Sequence, residues 1–276
     1  MIIDTHVHIG RILNFNMKKE EVLYAMNRYG IDYSIVSDIR GTEYDHKRRK
    51  LPFFLQTDQM KCMKDTIRFA KDNPDRIGAA LWMKTCSCTP NEKIYELIQE
   101  NREYVKALKI HPYHNPIPFD DDRMEPFMEL AKHFHLPVVI HTGGCDDASP
   151  QRVYNMAERH PDINFVMVHM GLGTDNKIAT KLIGQLPNLY GDTSWVLMER
   201  TVRFIKLNGD DRILFGSDMP IDGKDTYLYN KTGDRSIYQD YFHKLPQLIS
   251  PESYEKLMFR NAMRLFDIKI DKCPNQ

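Results

Sequence analysis

Short apolar runs alternate with longer amphipathic stretches along the whole chain. Runs rich in Ile, Val, Leu and Phe are typical of parallel strands buried on both faces, and the stretches of helical period between them are typical of crossover helices. The pattern predicts eight strands, at residues 2–8, 33–38, 77–82, 105–111, 137–141, 163–169, 188–191 and 212–217. Eight strands that alternate with helices predict an α/β fold, a (β/α)8 TIM barrel, which typically needs about 250 residues.

Helix signals lie between the predicted strands. The pairs Ser149-Pro150 and Ser250-Pro251 predict helix N-termini, and Thr89-Pro90-Asn91-Glu92 predicts another, with Thr89 as the N-cap and Pro90 in the first turn. Apolar residues at helical spacing in 252–266 predict a C-terminal helix that packs on the barrel. No linker rich in Gly, Ser or Pro divides the sequence, so residues 1–276 are expected to form one domain.

Candidate metal ligands stand at the ends of several predicted strands. Residues two apart in a strand point to the same side, so His6 and His8 present two imidazoles to one point. His141 and His169 each close a later apolar run, and Asp218 follows another. The separations between these three correspond to one and two βα steps. All five side chains are therefore expected at the same end of the barrel.

The fourth predicted strand adds Lys109 and His111, which the period of two places on the same inward side. A buried lysine with its charge suppressed can react with carbon dioxide to give a carbamate, an anionic ligand that would bridge two metal ions. Alternatively, a protonated Lys109 would offset a carboxylate or bind an anionic substrate. The residue itself favours neither role.

Imidazole and carboxylate ligands suit Zn²⁺, with Mn²⁺ or another divalent first-row metal as the alternative. A bound metal lowers the pKa of its water, and Asp218 is expected both to contact the metal and to take the proton of the attacking water. A protein in which the same residues only hold an ion, while the long loops bind a partner, is the alternative from another class.

Two long connections, 39–56 and 219–237, follow the carboxyl ends of strands, where barrel enzymes carry lids and substrate pockets. Arg40 and Arg235 are candidate clamps for a substrate carboxylate, because guanidinium matches that geometry. The strand-end residue Trp195 could line the pocket, as could Trp82, although large aromatic residues more often pack in the core or at a rim. The remaining histidines, His114 among them, are expected to be surface or core residues.

The chain has 38 Lys and Arg against 38 Asp and Glu, so no global basic field attracts nucleic acid or an anionic membrane. It carries no signal-peptide pattern and no apolar run of bilayer length, which predicts a cytoplasmic protein with no membrane partner. Its five cysteines are expected to be free thiols. The expected partner is a small-molecule substrate, and composition leaves a homo-oligomer open.

Seven segments carry a family resemblance: Ile3-Asp4-Thr5-His6-Val7-His8, Leu108-Lys109-Ile110-His111-Pro112, Val139-Ile140-His141-Thr142-Gly143, Val168-His169-Met170-Gly171, Gly191-Asp192-Thr193-Ser194, Phe215-Gly216-Ser217-Asp218-Met219-Pro220 and Asn261-Ala262-Met263-Arg264-Leu265-Phe266. With them the chain resembles the amidohydrolase superfamily, in its amidohydrolase-related branch of compact metal-dependent (β/α)8 barrels. The resemblance covers nearly the whole chain.

The resemblance implies roles for the strand-end residues. The principal metal would be held by His6, His8, His141 and Asp218. His169 would bind a second metal or orient and protonate the substrate. Lys109 stands where dihydroorotases and ureases carry a carboxylated lysine, and His111 is similar to a urease histidine that contacts the substrate carbonyl.

The same branch contains hydrolases of lactones and amides, and non-oxidative decarboxylases of aromatic and related acids. We expect a metal-dependent hydrolase of a C–N or ester-type bond in a small, polar, anionic molecule. A metal-dependent decarboxylase is the alternative, because a fold does not choose between chemistries.

Overall fold

The computed structural model describes residues 1–219 and 240–270, and its centre is a sheet of parallel strands. The strands are β1 (Ile3–Ile12), β2 (Phe15–Met17), β3 (Tyr33–Asp38), β4 (Ile77–Trp82), β5 (Val105–Ile110), β6 (Val138–Gly143), β7 (Phe165–Leu172), β8 (Leu189–Asp192) and β9 (Ile213–Leu214). Strand β2 forms an antiparallel hairpin with β1, and the other strands pair in parallel in the order β1-β3-β4-β5-β6-β7-β8-β9. All eight predicted strands are confirmed, whereas the hairpin strand β2 was not predicted.

The residues after β9 close the sheet into a barrel. The backbone N–H of Thr5 donates to Phe215 at 2.9 Å, that of His8 donates to Met219 at 2.8 Å, and that of Asp218 donates to the carbonyl of His6 at 2.9 Å. Residues 215–219 therefore continue as the partner of β1. The predicted (β/α)8 architecture is confirmed.

A helix connects each parallel strand to the next parallel strand along the chain. The helices are α1 (Lys19–Tyr29), α2 (Gln59–Asp72), α3 (Glu92–Glu100), α4 (Glu125–His133), α5 (Pro150–Arg159), α6 (Lys177–Ile183) and α7 (Met198–Asn208). The last helices of the described chain are α8 (Pro251–Glu255) and α9 (Asn261–Phe266), joined by a π-helical turn at Lys256–Arg260. This run confirms the predicted C-terminal helix.

One predicted helix start is wrong. Helix α3 begins at Glu92, and Asn91 caps it by accepting a hydrogen bond from the Ile94 N–H, so Thr89 and Pro90 precede the helix. Asn is as good an N-cap as Thr, and here it lies closer to the first helical turn. By contrast, Ser250 caps α8 as predicted, accepting from the Ser253 N–H.

The interior of the barrel is apolar at one end and polar at the other. Ala107 and Val139 belong to a buried cluster that Phe266 of α9 also joins. Two residues further along β5 and β6, the same inward face carries Lys109 and His141. The C-terminal helix thus packs under an apolar layer, and the functional groups lie above it.

Within residues 1–219 and 240–270, no helix is both long and apolar enough to cross a bilayer.

Candidate metal centre and active site

Three donor atoms meet at the carboxyl end of the barrel. The Nε2 atoms of His6 and His8 are 2.9 Å apart, and Oδ1 of Asp218 lies 3.5 Å from the first and 3.0 Å from the second. All three residues are buried and could hold one metal ion. Two imidazole nitrogens and one carboxylate oxygen are a donor set that suits Zn²⁺ or Mn²⁺.

The other ring nitrogens of the two histidines have hydrogen-bond partners. Ser37 Oγ lies 2.9 Å from Nδ1 of His8, and Asp192 Oδ2 lies 3.1 Å from Nδ1 of His6. Metal-binding histidines usually donate their second N–H to such a group, which fixes the ring orientation. Burial, assisted by the nearby Lys109, lowers the pKa of His6 well below its usual range, so the ring is neutral and able to bind a metal. The surroundings therefore fit a metal centre.

Asp192 and Ser194 connect His6 with His169. Asp192 Oδ1 accepts the backbone N–H of His169 at 2.8 Å and the Ser194 hydroxyl at 2.7 Å. Ser194 Oγ also lies 3.0 Å from Nδ1 of His6 and 2.9 Å from Nδ1 of His169. His6, His169 and Asp192 are close enough to hold a metal themselves. Because Asp192 Oδ2 faces the His6 ring while Oδ1 holds the His169 backbone and Ser194, we assign Asp192 to orienting the two histidines.

Sequence reasoning missed this orienting role. Asp192 and Ser194 appeared only as part of a family motif, without a function. A usable signal was present, because Asp192 is an acidic residue at the carboxyl end of a predicted strand, like Asp218.

Asp218 is fixed from two sides. Its Oδ1 faces the His6–His8 pair, and its Oδ2 accepts a hydrogen bond from Trp195 Nε1 at 2.7 Å. Burial raises the pKa of the carboxyl group, but His6 and His8 outweigh burial and hold the pKa below its usual range. The φ angle of Asp218 is 64°, a left-handed conformation that costs a non-glycine residue about 1–3 kcal/mol and often occurs at functional sites.

The side chain of Lys109 also reaches the group of three donor atoms. Its Nζ lies 3.1 Å from Nε2 of His6, and the side chain is 1% exposed. Burial lowers the pKa of the Lys109 ammonium to about 8, although the carboxylates of Asp218 and Asp192 oppose the shift. This placement is compatible with a carbamate ligand and equally with a lysine that offsets the two carboxylates.

Three parallel rings form one wall of the site. Trp82 stacks on His111 with ring centres 4.9 Å apart, and His111 stacks on His141 at 3.9 Å, with interplanar angles of 9° and 10°. The His141 ring is also 4.9 Å from the His169 ring, at 75°. His141 is therefore the end ring of the stack and contacts His169, and it is not one of the three donors His6, His8 and Asp218.

A cavity of about 360 Å³ opens above these groups. It is lined by six of the residues expected from sequence, namely His6, His8, His111, His141, His169 and Asp218. The hairpin adds apolar residues, including Ile12, Phe15 and Met17. His114, expected at the surface or in the core, also lines the cavity; its Nδ1 lies 2.8 Å from the Tyr44 carbonyl.

Of the two proposed arginine clamps, Arg40 is not brought to the cavity. Arg40 places its guanidinium against Asp38 and against Asp65, the latter at 2.8 Å, and it is not among the described residues that line the cavity. An arginine already bound to two carboxylates is a poor clamp for a third. Arg235 lies outside the described residues. The connection 39–56 does contribute Ile39 and Thr42 to the cavity.

Fold and site together define a (β/α)8-barrel protein with a candidate metal centre at the carboxyl ends of its strands. A family model described as Amidohydrolase matches residues 3–268, and the chain belongs to this family of metal-dependent enzymes. No curated protein sequence matches the chain.

Three solved structures share the fold over nearly their whole length. The 5-carboxyvanillate decarboxylase LigW from Sphingomonas paucimobilis is 14% identical, with a TM-score of 0.71 and 97% and 99% of the two chains covered. A 5-carboxyvanillate decarboxylase from Novosphingobium aromaticivorans, complexed with manganese, is 13% identical, with a TM-score of 0.69 and coverages of 97% and 96%. A probable 2-pyrone-4,6-dicarboxylic acid hydrolase from Acinetobacter baumannii is 13% identical, with a TM-score of 0.63 and coverages of 96% and 99%.

Proposed function

We propose that this protein is a metal-dependent hydrolase that cleaves a C–N or ester-type bond in a small, polar, anionic molecule. The observation that carries the proposal is the position of Asp218. Its carboxylate lies 3.0 Å from a candidate metal-binding nitrogen of His8 and also lines the cavity. A carboxylate in that position can accept a proton from water inside the cavity, which hydrolysis requires.

Different residues would hold the ion, transfer the proton and stabilise the carbonyl oxygen. His6, His8 and Asp218 would hold the ion, with His141 beside them. A metal ion bound there would lower the pKa of its water and polarise a carbonyl. Asp218 accepts the proton of the attacking water and returns it to the leaving group. His169, oriented by Asp192 and Ser194, and His111 also line the cavity and would stabilise the carbonyl oxygen as it gains charge.

Zn²⁺ is the proposed ion, and Mn²⁺ is the alternative because a structurally similar decarboxylase contains manganese. The number of ions depends on Lys109, since a carbamate on its Nζ would supply the ligand that a second ion shares. Metal analysis per chain and the intact mass of protein purified without chelator test this part. Two ions with the added mass of carbon dioxide support the binuclear form, and one ion with unmodified Lys109 supports the mononuclear form.

Metal-dependent decarboxylation of an aromatic or related acid is the second candidate. The rings of Trp82, His111 and His141 favour it, because they line the cavity and ring edges pack well against the face of an aromatic acid. The apolar hairpin residues Phe15 and Ile12 line the same cavity and suit an aromatic body.

Isotope labelling separates the two reactions. Protein loaded with Zn²⁺ or Mn²⁺ is incubated in oxygen-18 water with lactones, amides, cyclic imides and aromatic acids. Hydrolysis adds labelled oxygen to the product, whereas decarboxylation removes carbon dioxide and leaves the product without the label. Asp218→Asn is the matched control for contaminating enzymes. Turnover that survives both this substitution and removal of the metal would contradict the proposal.

A further inference from the structure

We infer that Trp195 is a positioning residue that makes the two oxygens of Asp218 do different work. The indole holds Oδ2 towards the cavity as the proton-accepting atom and leaves Oδ1 alone to face the His6–His8 pair. This inference rests on the proposed function, because it assigns one atom to the proton transfer.

The hydrogen bonds of Asp218 carry the inference. Oδ1 lies 3.0 Å from Nε2 of His8 and 3.5 Å from Nε2 of His6, whereas Oδ2 accepts the Trp195 indole N–H at 2.7 Å. An indole nitrogen can only donate, so this contact has one polarity. A carboxylate oxygen can accept more than one hydrogen bond. Oδ2 therefore keeps the capacity to accept a proton from water while the indole fixes its direction.

The backbone conformation and the exposure of Trp195 are both unfavourable, and packing alone does not explain them. The residue has a φ of 57°, in the left-handed region that bulky residues rarely adopt, and its side chain is 47% exposed. In this conformation the indole ring reaches the buried carboxylate of Asp218. The neighbouring Asp192 and Ser194 orient His6 and His169, so residues 192–195 contact three of the candidate functional groups.

Without the indole donor, the carboxylate would be free to turn, because the terminal torsion of aspartate is soft. Both Asp218 oxygens could then face the ion, and no carboxylate oxygen would be aimed at the attacking water. We therefore expect Trp195→Phe to retain its metal, with the metal dissociation constant within about threefold of the wild type. We expect kcat to fall roughly ten- to hundredfold and KM to change little, since a hydrogen bond to a charged group is lost.

The first measurement needs no substrate. The chain has two tryptophans, so protein labelled with nitrogen-15 at the indole gives two N–H signals, which Trp195→Phe assigns. In metal-free protein, Asp218→Asn should move the Trp195 signal, because the charged acceptor is lost. The Trp82 signal should stay, since its Nε1 donates to Asn115 at 3.1 Å. An unmoved Trp195 signal would overturn the inference, even if the protein proved to have another activity.

The second measurement separates positioning from structural support. Leu197→Ala is the control, because Leu197 is an exposed apolar residue two positions along the same connection. Wild-type kcat in Trp195→Phe would overturn the inference, and so would loss of its metal or of its cooperative thermal unfolding. Reduced kcat with retained metal, in a variant that melts like Leu197→Ala, supports it. If no substrate is turned over, the proposed function fails. The indole signals still show whether Trp195 donates a hydrogen bond to Asp218.

Discussion

The two halves of the cavity are built by different kinds of interaction. On the side of β1, β7, β8 and the segment after β9, hydrogen bonds fix individual atoms: His6, His8, His169 and Asp218 each have a partner that orients the side chain. On the side of β4, β5 and β6, Trp82, His111 and His141 stack face to face. Within the described part of the chain, no hydrogen bond to the ring of His141 is present.

The difference indicates a division of labour. A hydrogen bond sets the direction of one atom, which metal binding and proton transfer require. The edges of stacked rings can pack against a planar or apolar group without fixing the direction of a single atom. We therefore expect substitutions on the hydrogen-bonded side to lower kcat or metal affinity, and substitution of Trp82, the end ring of the stack, to raise KM.

The largest effect should come from Asp218→Asn. The amide is a poorer metal ligand and cannot accept the proton of water, so we expect kcat/KM to fall at least about 10³-fold. Kinetics and metal analysis on the same sample measure both losses. Asp162→Asn, at a partly exposed aspartate that pairs with Lys132, is the control and should behave as wild type. Turnover within tenfold of the wild type would remove Asp218 from the mechanism.

Asp192→Asn should come next, although Asp192 is not among the three donors His6, His8 and Asp218. Loss of the charge that orients His6 and His169 should weaken metal binding about 10- to 100-fold, as is usual for partners of metal-binding histidines. Competition with a chelating dye measures the affinity. Asp175→Asn is the matched control, because this exposed aspartate pairs with Lys177. Equal affinities in the two variants would contradict the orienting role.

Trp82→Phe tests the stacked side. Phenylalanine keeps an aromatic face towards His111 but loses part of the ring and the hydrogen bond to Asn115. We expect KM to rise roughly two- to fivefold with kcat nearly unchanged, the pattern of lost uniform binding. Steady-state kinetics on a substrate found by the labelling assay give both values. A fall in kcat with constant KM would reverse the assignment of the two sides.

Arg40→Ala should have the smallest effect on activity. Because its guanidinium binds Asp38 and Asp65, we expect KM to change less than about twofold. The free energy of unfolding should fall by about 1–3 kcal/mol, since the buried Asp38 loses its charged partner. Denaturant unfolding measures this loss. A large rise in KM with unchanged stability would restore Arg40 as a substrate clamp.

The sequence predicts the barrel well because each strand is a short apolar run, and several of these runs end in a polar residue that can be read directly. The same rule brings His6, His8, His141, His169 and Asp218 into one list. It does not predict the hydrogen bond from Trp195 to Asp218, because that contact depends on a left-handed backbone angle and on a distance across two loops. Arg40 was assigned from its place in a strand-end connection and from the geometry of guanidinium, and its pairing with Asp65 of α2 depends on tertiary packing.

Closure of the barrel also sets a time at which the site can form. Ser217 donates its hydroxyl to Asp4 at 2.5 Å across a sequence separation of 213 residues, next to the backbone contacts that bring Asp218 to His6. A ribosome adds about 5–20 residues per second, so roughly 10–40 s separate the synthesis of the two sides. During that interval the paired histidines of β1 have no carboxylate opposite them, so a nascent chain exposes both imidazoles before the candidate metal centre is complete.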